Sequence, residues 1–188
     1  MNKTLIWITG IVVIFLLFVV WVGGVYNSLV KIDQDVKQGW AQVENQLQRR
    51  YDLIPNLVET VKGYAAHEKE TFENIAQARS AWAGAQNAEQ KVAAANQMES
   101  TLSKLMLVVE NYPQLKASEN FKALQDELAG TENRIAVERM RYNEKVQKYN
   151  TKTKSMPTVF FANILGFDSE KVFFKAIEAA VDAPKVKF

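Results

Sequence analysis

Cysteine is absent from the 188 residues, and histidine occurs once. Without thiolates the chain can form no disulfide, no thiolate zinc site and no lipid-carrying cysteine. One histidine, His67, cannot build the paired Glu-x-x-His sites of di-iron bundles or the two-histidine helix of a zinc protease. We therefore predict no metal site and no cofactor, and a structural or surface role for His67.

Proline and glycine are also scarce, with four and eight residues, and neither sign of charge dominates. The 23 basic and 21 acidic side chains are interleaved, whereas a nucleic-acid binder normally carries a basic face. Few helix breakers, together with abundant alanine, glutamine, glutamate, lysine and leucine, predict an all-α fold that binds no nucleic acid.

Catalytic patterns are missing as well. The chain contains no G-x-S-x-G turn and no glycine-rich phosphate loop. Its carboxylate pairs have the spacing of a solvated helix face. We predict that the protein is not an enzyme and has no evident small-molecule substrate, with an uncharacterised hydrolase as the less favoured alternative.

A long apolar run at the N-terminus is the first positive feature. Leu5–Val25 reads LIWITGIVVIFLLFVVWVGGV, with Trp7 and Trp21 near its ends. About 20 helical residues cross the ~30 Å hydrocarbon layer, and tryptophan prefers its boundaries. A cleaved signal peptide would have a shorter run and a small-x-small site. We predict a single-pass anchor at residues 1–27 that contacts the lipid bilayer through residues 5–25.

The flanking charges give little information about orientation in the cell membrane. Lys3 lies on one side of the run, and Lys31 and Lys37 lie on the other. Acidic residues contribute little to the positive-inside rule, so the count leaves the side of the bundle open. By a small margin we favour the short N-terminus inside and the body outside the cytoplasm.

Apolar residues recur at steps of three and four after the anchor. They predict one long helix over residues 28–82 that kinks at Pro55 and ends near Gly84. Asn87 followed by Gln90 resembles a capping box that starts a second helix.

Pro113 stops the second helix, and Ser118 caps a third, which ends near Pro157. The predicted fold is an N-terminal transmembrane helix that continues into an antiparallel helical bundle over residues 28–188, with three long helices plus short C-terminal helices.

The C-terminal segments Val159–Phe167 and Val172–Val181 are short and aromatic, and Gly166 separates them. The favoured interpretation is that their phenylalanines cap the bundle core. The alternative is an interfacial helix that touches the membrane.

Charged and amide residues crowd the first helix around Pro55 and the third helix within TENRIAVERMRYN. If these helices pair, the residues form a buried polar layer that fixes helix register, or else a surface network worth little. The candidates are Arg49, Arg50, Asp52, Pro55, Asn56, Glu132, Asn133, Arg139 and Asn143.

Helix lengths suggest an uncovered apolar stripe near the anchor. The second helix reaches along the first only from Trp82 back to Asn56, and the third is expected to run away from the membrane again. Either the tail or another chain must then cover the stripe, so we predict a protein partner or self-association there. The stripe consists of Leu29, Ile32, Val36, Trp40, Val43 and Leu47.

Several long motifs resemble the LemA family of bacterial membrane proteins. They are RRYDLIPNLVETVKGYAAHE (Arg49–Glu68), YPQLKASENFKALQDELAGTENRIAVERMRYN (Tyr112–Asn143), FFANILGF (Phe160–Phe167) and APKVKF (Ala183–Phe188). The resemblance implies a membrane helix, an antiparallel bundle and no established enzymatic activity. Members are often encoded near membrane zinc metallopeptidases, and one branch acts in building magnetosome membranes.

The predicted function is a membrane-anchored helical-bundle scaffold or adaptor of the bacterial envelope. A membrane-shaping or oligomeric assembly protein is the alternative.

Overall fold

A computed structural model describes residues 3–174, and these contain six helices and no strand. The all-α prediction is confirmed. The APKVKF end and most of the predicted helix Val172–Val181 lie outside the described residues. The helices are α1 Lys3–Lys62, α2 Lys69–Gly84, α3 Ala88–Val109, α4 Pro113–Ala117, α5 Glu119–Lys154 and α6 Thr158–Ile164.

The prediction of a single helix over residues 28–82 is wrong, because the chain turns between α1 and α2. Helix α1 continues through Pro55 and ends at Lys62. The backbone N–H groups of Tyr64 and Ala65 both donate to the carbonyl of Val61, at 3.0 and 2.9 Å. Ala65 is buried, so the apolar spacing continues across the turn and conceals it.

Most of the other predicted helix boundaries are confirmed, but α3 ends at Val109, before the predicted stop at Pro113, and Pro113 begins the short helix α4, which was not predicted. Helix α2 ends at Gly84, and the Asn87 side chain caps α3 by accepting from the Gln90 N–H at 2.8 Å. Gln90 Oε1 in turn accepts from the N–H of Gln86 at 2.8 Å. Helix α5 begins directly after Ser118.

The described residues pack as two compact units. Residues 3–39 and 143–173 form what we call the anchor unit. Residues 40–142, with residue 174, form what we call the bundle unit. Helices α1 and α5 each contribute to both, and each unit is described separately below.

In the bundle unit, α2 folds back along α1. The rings of Tyr51 and Trp82 stack with centroids 4.6 Å apart, while Lys62 at the end of α1 lies over the ring of Phe72. Helix α3 then runs in the same direction as α1. The Tyr51 hydroxyl donates to the carbonyl of Ala94 at 3.2 Å, and Lys91, one turn earlier on α3, pairs with α1.

Helix α5 runs antiparallel to α1 in the same unit. Near its start Glu127 pairs with Arg49, and further along Tyr142 packs edge-on against Trp40 with centroids 5.6 Å apart. Buried side chains from five helices, α1 to α5, fill the space between them, which makes this unit an antiparallel bundle. The fully buried ones include Leu47, Ile54, Leu57, Ile75, Met98, Leu105, Leu115, Phe121 and Ile135.

The anchor unit combines the apolar start of α1 with the end of α5 and the segment after it. The first part of α1 is long and apolar enough to cross a membrane, with a mean hydropathy of 2.7, and none of that window is buried. Beyond it, Leu29, Val146 and Tyr149 are buried. Helix α6 follows α5 through a short turn that contains Pro157.

The C-terminal phenylalanines were predicted either to cap the core or to touch the membrane, and they differ in burial. Phe174 is buried, as expected of a residue that caps the core. The core interpretation is wrong for Phe160, whose side chain is exposed on α6.

Candidate functional site

A layer of half-buried charged side chains connects helices of the bundle unit. Arg50 of α1 donates from Nη1 to Oε2 of Glu132 on α5. Arg139, about two turns further along α5, lies with Nη1 3.7 Å from Oε2 of Glu99 on α3. These four residues, the polar layer, connect the three helices that form most of the bundle.

Burial and neighbouring charges act in opposite directions on Arg139. Burial lowers the pKa of its guanidinium, and the negative charges of Glu99 and Glu132 partly restore it. The ordinary pKa of arginine lies far above neutral, so Arg139 keeps its charge. Its guanidinium also lies 4.4 Å from the ring centroid of Phe174, a cation–π contact that favours the charged form.

The polar layer is not saturated with hydrogen bonds. Nε of both arginines and Oε2 of Glu99 are buried without a hydrogen-bond partner among the described residues. At 3.7 Å the contact of Arg139 with Glu99 is an ion pair that is too long for a hydrogen bond. Gln46, one turn before Arg50, and Asn96, one turn before Glu99, each hold a further buried oxygen that no group within residues 3–174 hydrogen-bonds.

Some predicted polar residues meet in this layer and others do not. Arg50, Glu132 and Arg139 come together, as the pairing of the first and third predicted helices requires. The remaining ones lie elsewhere: Arg49 forms an exposed ion pair with Glu127, Asp52 accepts from Gln48, Asn56 and Asn133 are exposed, Pro55 is half-buried within α1, and Asn143 is half-buried in the anchor unit.

Glu99, Gln46 and Asn96 are not among the residues predicted from the sequence. Glu99 and Asn96 lie on α3, whose predicted contacts came from its apolar face alone. A burial signal was present for Glu99 alone, because it lies one turn from the buried residues Ala95 and Leu102, but this signal does not show which helix Glu99 meets.

The stripe predicted as a stalk interface is covered by the chain itself. Leu29, Val36, Val43 and Leu47 are buried, and Ile32 and Trp40 are half-buried. The premise that the third predicted helix runs away from the stripe is therefore wrong. It assumed an unbroken helix over residues 28–82, whereas the turn after Lys62 reverses every later helix, so α5 returns along α1. The other option, cover by the tail, holds at Trp40, which stacks on Phe174.

An open groove of about 630 Å³ lies on the bundle unit between α1, α2 and the start of α3. The stacked rings of Tyr51 and Trp82 contribute its aromatic part. Its charged side chains are of both signs and come from all three elements: Glu44, Asp52, Arg79 and Lys91. Lys91 pairs with Glu44 and lies 5.6 Å from the Trp82 ring centroid. These contacts hold the α3 side of the groove against α1 and α2.

The described residues show no cluster of three or more histidine, aspartate or glutamate side chains that could hold a metal ion. His67 is exposed in the turn between α1 and α2, and its carbonyl accepts from the Lys69 N–H at 2.9 Å. The arrangement that the structure offers is thus one of paired charges, aromatic rings and an open groove.

The sequence model of the LemA family matches residues 39–188. The chain belongs to the LemA family. The match contains the whole polar layer and groove, while the apolar run precedes it. The family's description, LemA family, names no enzymatic activity.

This LemA-family chain is also similar to three magnetosome proteins. It is 26% identical to Magnetosome protein MamQ 1 and to MamQ 2 of Paramagnetospirillum magneticum over 174 residues, which cover 79% of this chain and 64% of each relative. It is 25% identical to Magnetosome protein MamQ of Magnetospirillum gryphiswaldense, over 85% of this chain and 67% of that protein. The chain thus spans about two thirds of the length of these relatives.

Proposed function

We propose that this protein is a membrane-anchored helical scaffold or adaptor of the bacterial envelope. The observation that carries the proposal is the continuity of α1. One helix contains both the apolar run and the residues on which α2, α3 and α5 of the bundle pack. A protein bound to the bundle is therefore tethered to the bilayer by a continuous helix.

The groove on the bundle unit supports a protein segment as the bound partner. It is open rather than enclosed, and it combines the Tyr51–Trp82 stack with charges of both signs. Aromatic anchors bordered by charged side chains are typical of protein interfaces. Arg79 and Ser80 are exposed on its α2 side and could reach such a segment.

A photo-crosslinking amino acid at Ser80 of the full chain, in its native membranes, tests the adaptor role. We expect a discrete heterologous product that Arg79→Glu weakens several-fold. The same reagent at Lys104, an exposed position on α3 that does not line the groove, serves as the matched control. Equal products from both positions, or none from Ser80, would contradict the proposal.

The similarity to magnetosome proteins favours a second candidate, a membrane-shaping assembly protein. The purified full chain, reconstituted alone into liposomes, separates the two roles. The scaffold proposal predicts a monomer that leaves the vesicles unchanged by electron microscopy. A series of multiples of the chain mass together with deformed vesicles would instead support assembly.

For the orientation, we propose that the short N-terminus lies inside the cell and the bundle lies outside the cytoplasm. We expect alkaline phosphatase fused after Phe188 to be active, since that enzyme matures only outside the cytoplasm. A cytoplasmic reporter at the same position should be inactive. The reverse pattern would place the bundle inside and leave the adaptor role open to a cytoplasmic partner.

A further inference from the structure

Helix α6 exposes large apolar side chains on one side. Phe160 and Ile164 are 59% and 79% exposed and lie one turn apart, so they share a face. Thr158 and Ala162, also one turn apart, are buried on the other side. A short helix that buries its small residues and exposes its large apolar ones is unusual for a surface in contact with water.

The position of α6 within the anchor unit accounts for this pattern. The Phe161 ring packs edge-on against Trp21 of α1, with centroids 5.4 Å apart. After α6, the Phe167 ring packs in the same manner against Tyr26, at 5.9 Å. Trp21 lies near the end of the apolar run, where tryptophan marks the boundary between hydrocarbon and headgroups. Helix α6 is therefore beside the place where α1 leaves the bilayer.

Hydrogen bonds hold the segment after α6 against the end of α5. Asn150 accepts from the backbone N–H of Lys171 at 2.7 Å and donates to its carbonyl at 2.9 Å. The Tyr149 hydroxyl donates to the carbonyl of Asp168 at 2.9 Å. Lys171 also reaches back to Asp33 of α1, at 3.2 Å. Because the segment that follows it is fixed in this way, α6 stays next to Trp21.

We propose that α6 is a second membrane contact, an interfacial helix whose Phe160 and Ile164 side chains insert into the leaflet from which α1 emerges. The occupant is the lipid surface because the exposed face of α6 adjoins the exposed apolar surface of α1 through the Trp21–Phe161 contact. The inference rests on the anchoring of α1 in the membrane. It extends that anchoring from one helix to two points of the anchor unit.

The absence of cysteine makes a clean test possible, because each introduced cysteine can be labelled alone. We suggest the full chain with Phe160→Cys or Ile164→Cys, labelled with the NBD fluorophore, in phosphatidylcholine–phosphatidylglycerol liposomes. Lipids with a nitroxide near the glycerol backbone quench a fluorophore inserted at that depth. We expect quenching at both positions to exceed the control at least about twofold.

Gln147→Cys is the matched control, because it is exposed on α5 in the same unit. The neighbouring Lys145 donates to Gln38, which lies about 25 Å beyond Trp21 along α1. Phe15→Cys, at the middle of the apolar run, tests the anchor separately, with lipids that carry the nitroxide near the end of the acyl chain. Quenching at Phe15 without quenching on α6 overturns this inference alone, whereas no quenching at Phe15 overturns the anchor and this inference together.

Two further outcomes would also overturn the inference. Iodide access to the fluorophores on α6 equal to that at Gln147 would show that the helix faces water. Exclusion of iodide without nitroxide quenching, together with disulfide-linked dimers of Phe160→Cys, would show that a second copy covers this face. Ile164 keeps the test valid if the substitution of Phe160 perturbs folding, because its side chain is the more exposed.

Discussion

At the scale of single residues, the polar layer makes an asymmetric prediction. The Arg50 side chain is 12% exposed, whereas that of Glu132 is 36% exposed. Removing Glu132 therefore leaves a buried cation facing Arg139, and removing Arg50 leaves a carboxylate that water can reach. We predict that Glu132→Leu lowers the free energy of unfolding by roughly 2–4 kcal/mol and Arg50→Met by roughly 1–2 kcal/mol.

Chemical unfolding of the full chain in detergent measures both values, and the double variant completes the cycle. The double variant is expected to be more stable than Glu132→Leu alone, because it leaves no unpaired arginine at that position. Equal losses in the two single variants would show that the ion pair is effectively on the surface.

Asp33 provides a pH-dependent contribution in the anchor unit. Burial by itself would raise the pKa of Asp33, but hydrogen bonds from Lys37 and Lys171 outweigh it and hold the pKa below its usual value of 3.8. Burial would likewise lower the pKa of Lys171, but Asp168 and Asp33 raise it. A depressed carboxyl pKa stabilises the fold above the unfolded pKa, and this stability is lost as the pH falls through the folded value.

We predict that Asp33→Asn lowers the free energy of unfolding by roughly 1–2 kcal/mol at neutral pH, and that the difference from the parent chain shrinks at about pH 3. Denaturant titrations at the two pH values measure this difference. Asp35→Asn, two residues away and outside the ion pairs of the described residues, is the control. A loss that does not depend on pH would contradict an electrostatic role.

Charged residues could be grouped from the sequence where both partners lay on helices already expected to pair. Arg50, Glu132 and Arg139 could be grouped from the sequence because the first and third helices carried matching charged segments. Glu99 could not, because which side of α3 faces α5 depends on the direction in which α3 runs. That direction was set by a turn that apolar periodicity does not reveal.

At the scale of elements, α1 contains a proline in the middle of a helical segment. Pro55 has no N–H to donate to the carbonyl of Tyr51, and its ring crowds that carbonyl. We predict that Pro55→Ala keeps or raises the free energy of unfolding, by up to about 3 kcal/mol, measured by denaturation in detergent. Asn56→Ala is the neighbouring exposed control. Loss of groove crosslinks with retained stability would show that the proline shapes the partner surface, and an unfolded variant would contradict the prediction.

Gly166 ends α6 and directs the following residues toward α1. Its φ of 76° lies in the left-handed region, and the N–H of Phe167 reaches back to the carbonyl of Ala162 at 3.0 Å. We predict that Gly166→Ala costs about 1 kcal/mol of stability and Gly166→Asn less, because asparagine tolerates this conformation better. Denaturation measures the cost. Equal stability of all three chains would contradict the strained conformation at this residue.

Element boundaries were predictable where a local chemical signal marked them. The Asn87 side chain caps α3, α2 ends at Gly84 and α5 begins after Ser118, and each of these residue types is a local signal of a helix end. The turn after Lys62 also had such a signal, a basic residue in the last turn followed by Gly63. The uninterrupted apolar spacing outweighed that signal in the sequence argument.

At the scale of the whole molecule, the course of α5 predicts which crosslinks form. A photo-crosslinker at Trp40 should react within the chain near Tyr142, because their rings are 5.6 Å apart. Peptide mapping of the full chain in membranes identifies the product. Gln42, exposed on the same helix, is the control and should not give this product. Predominant dimers from Trp40 would restore the stripe as an interface between chains.

The sequence by itself determined the helical class, the apolar run, most helix ends and the family, because these depend on composition and on signals among near neighbours. Only the tertiary structure decided which helix covers the stripe, which charges meet in the polar layer and where α6 lies. These depend on the direction of each helix after the turn at residues 63–68. A few residues there reverse the chain, and their backbone hydrogen bonds leave no trace in the apolar periodicity.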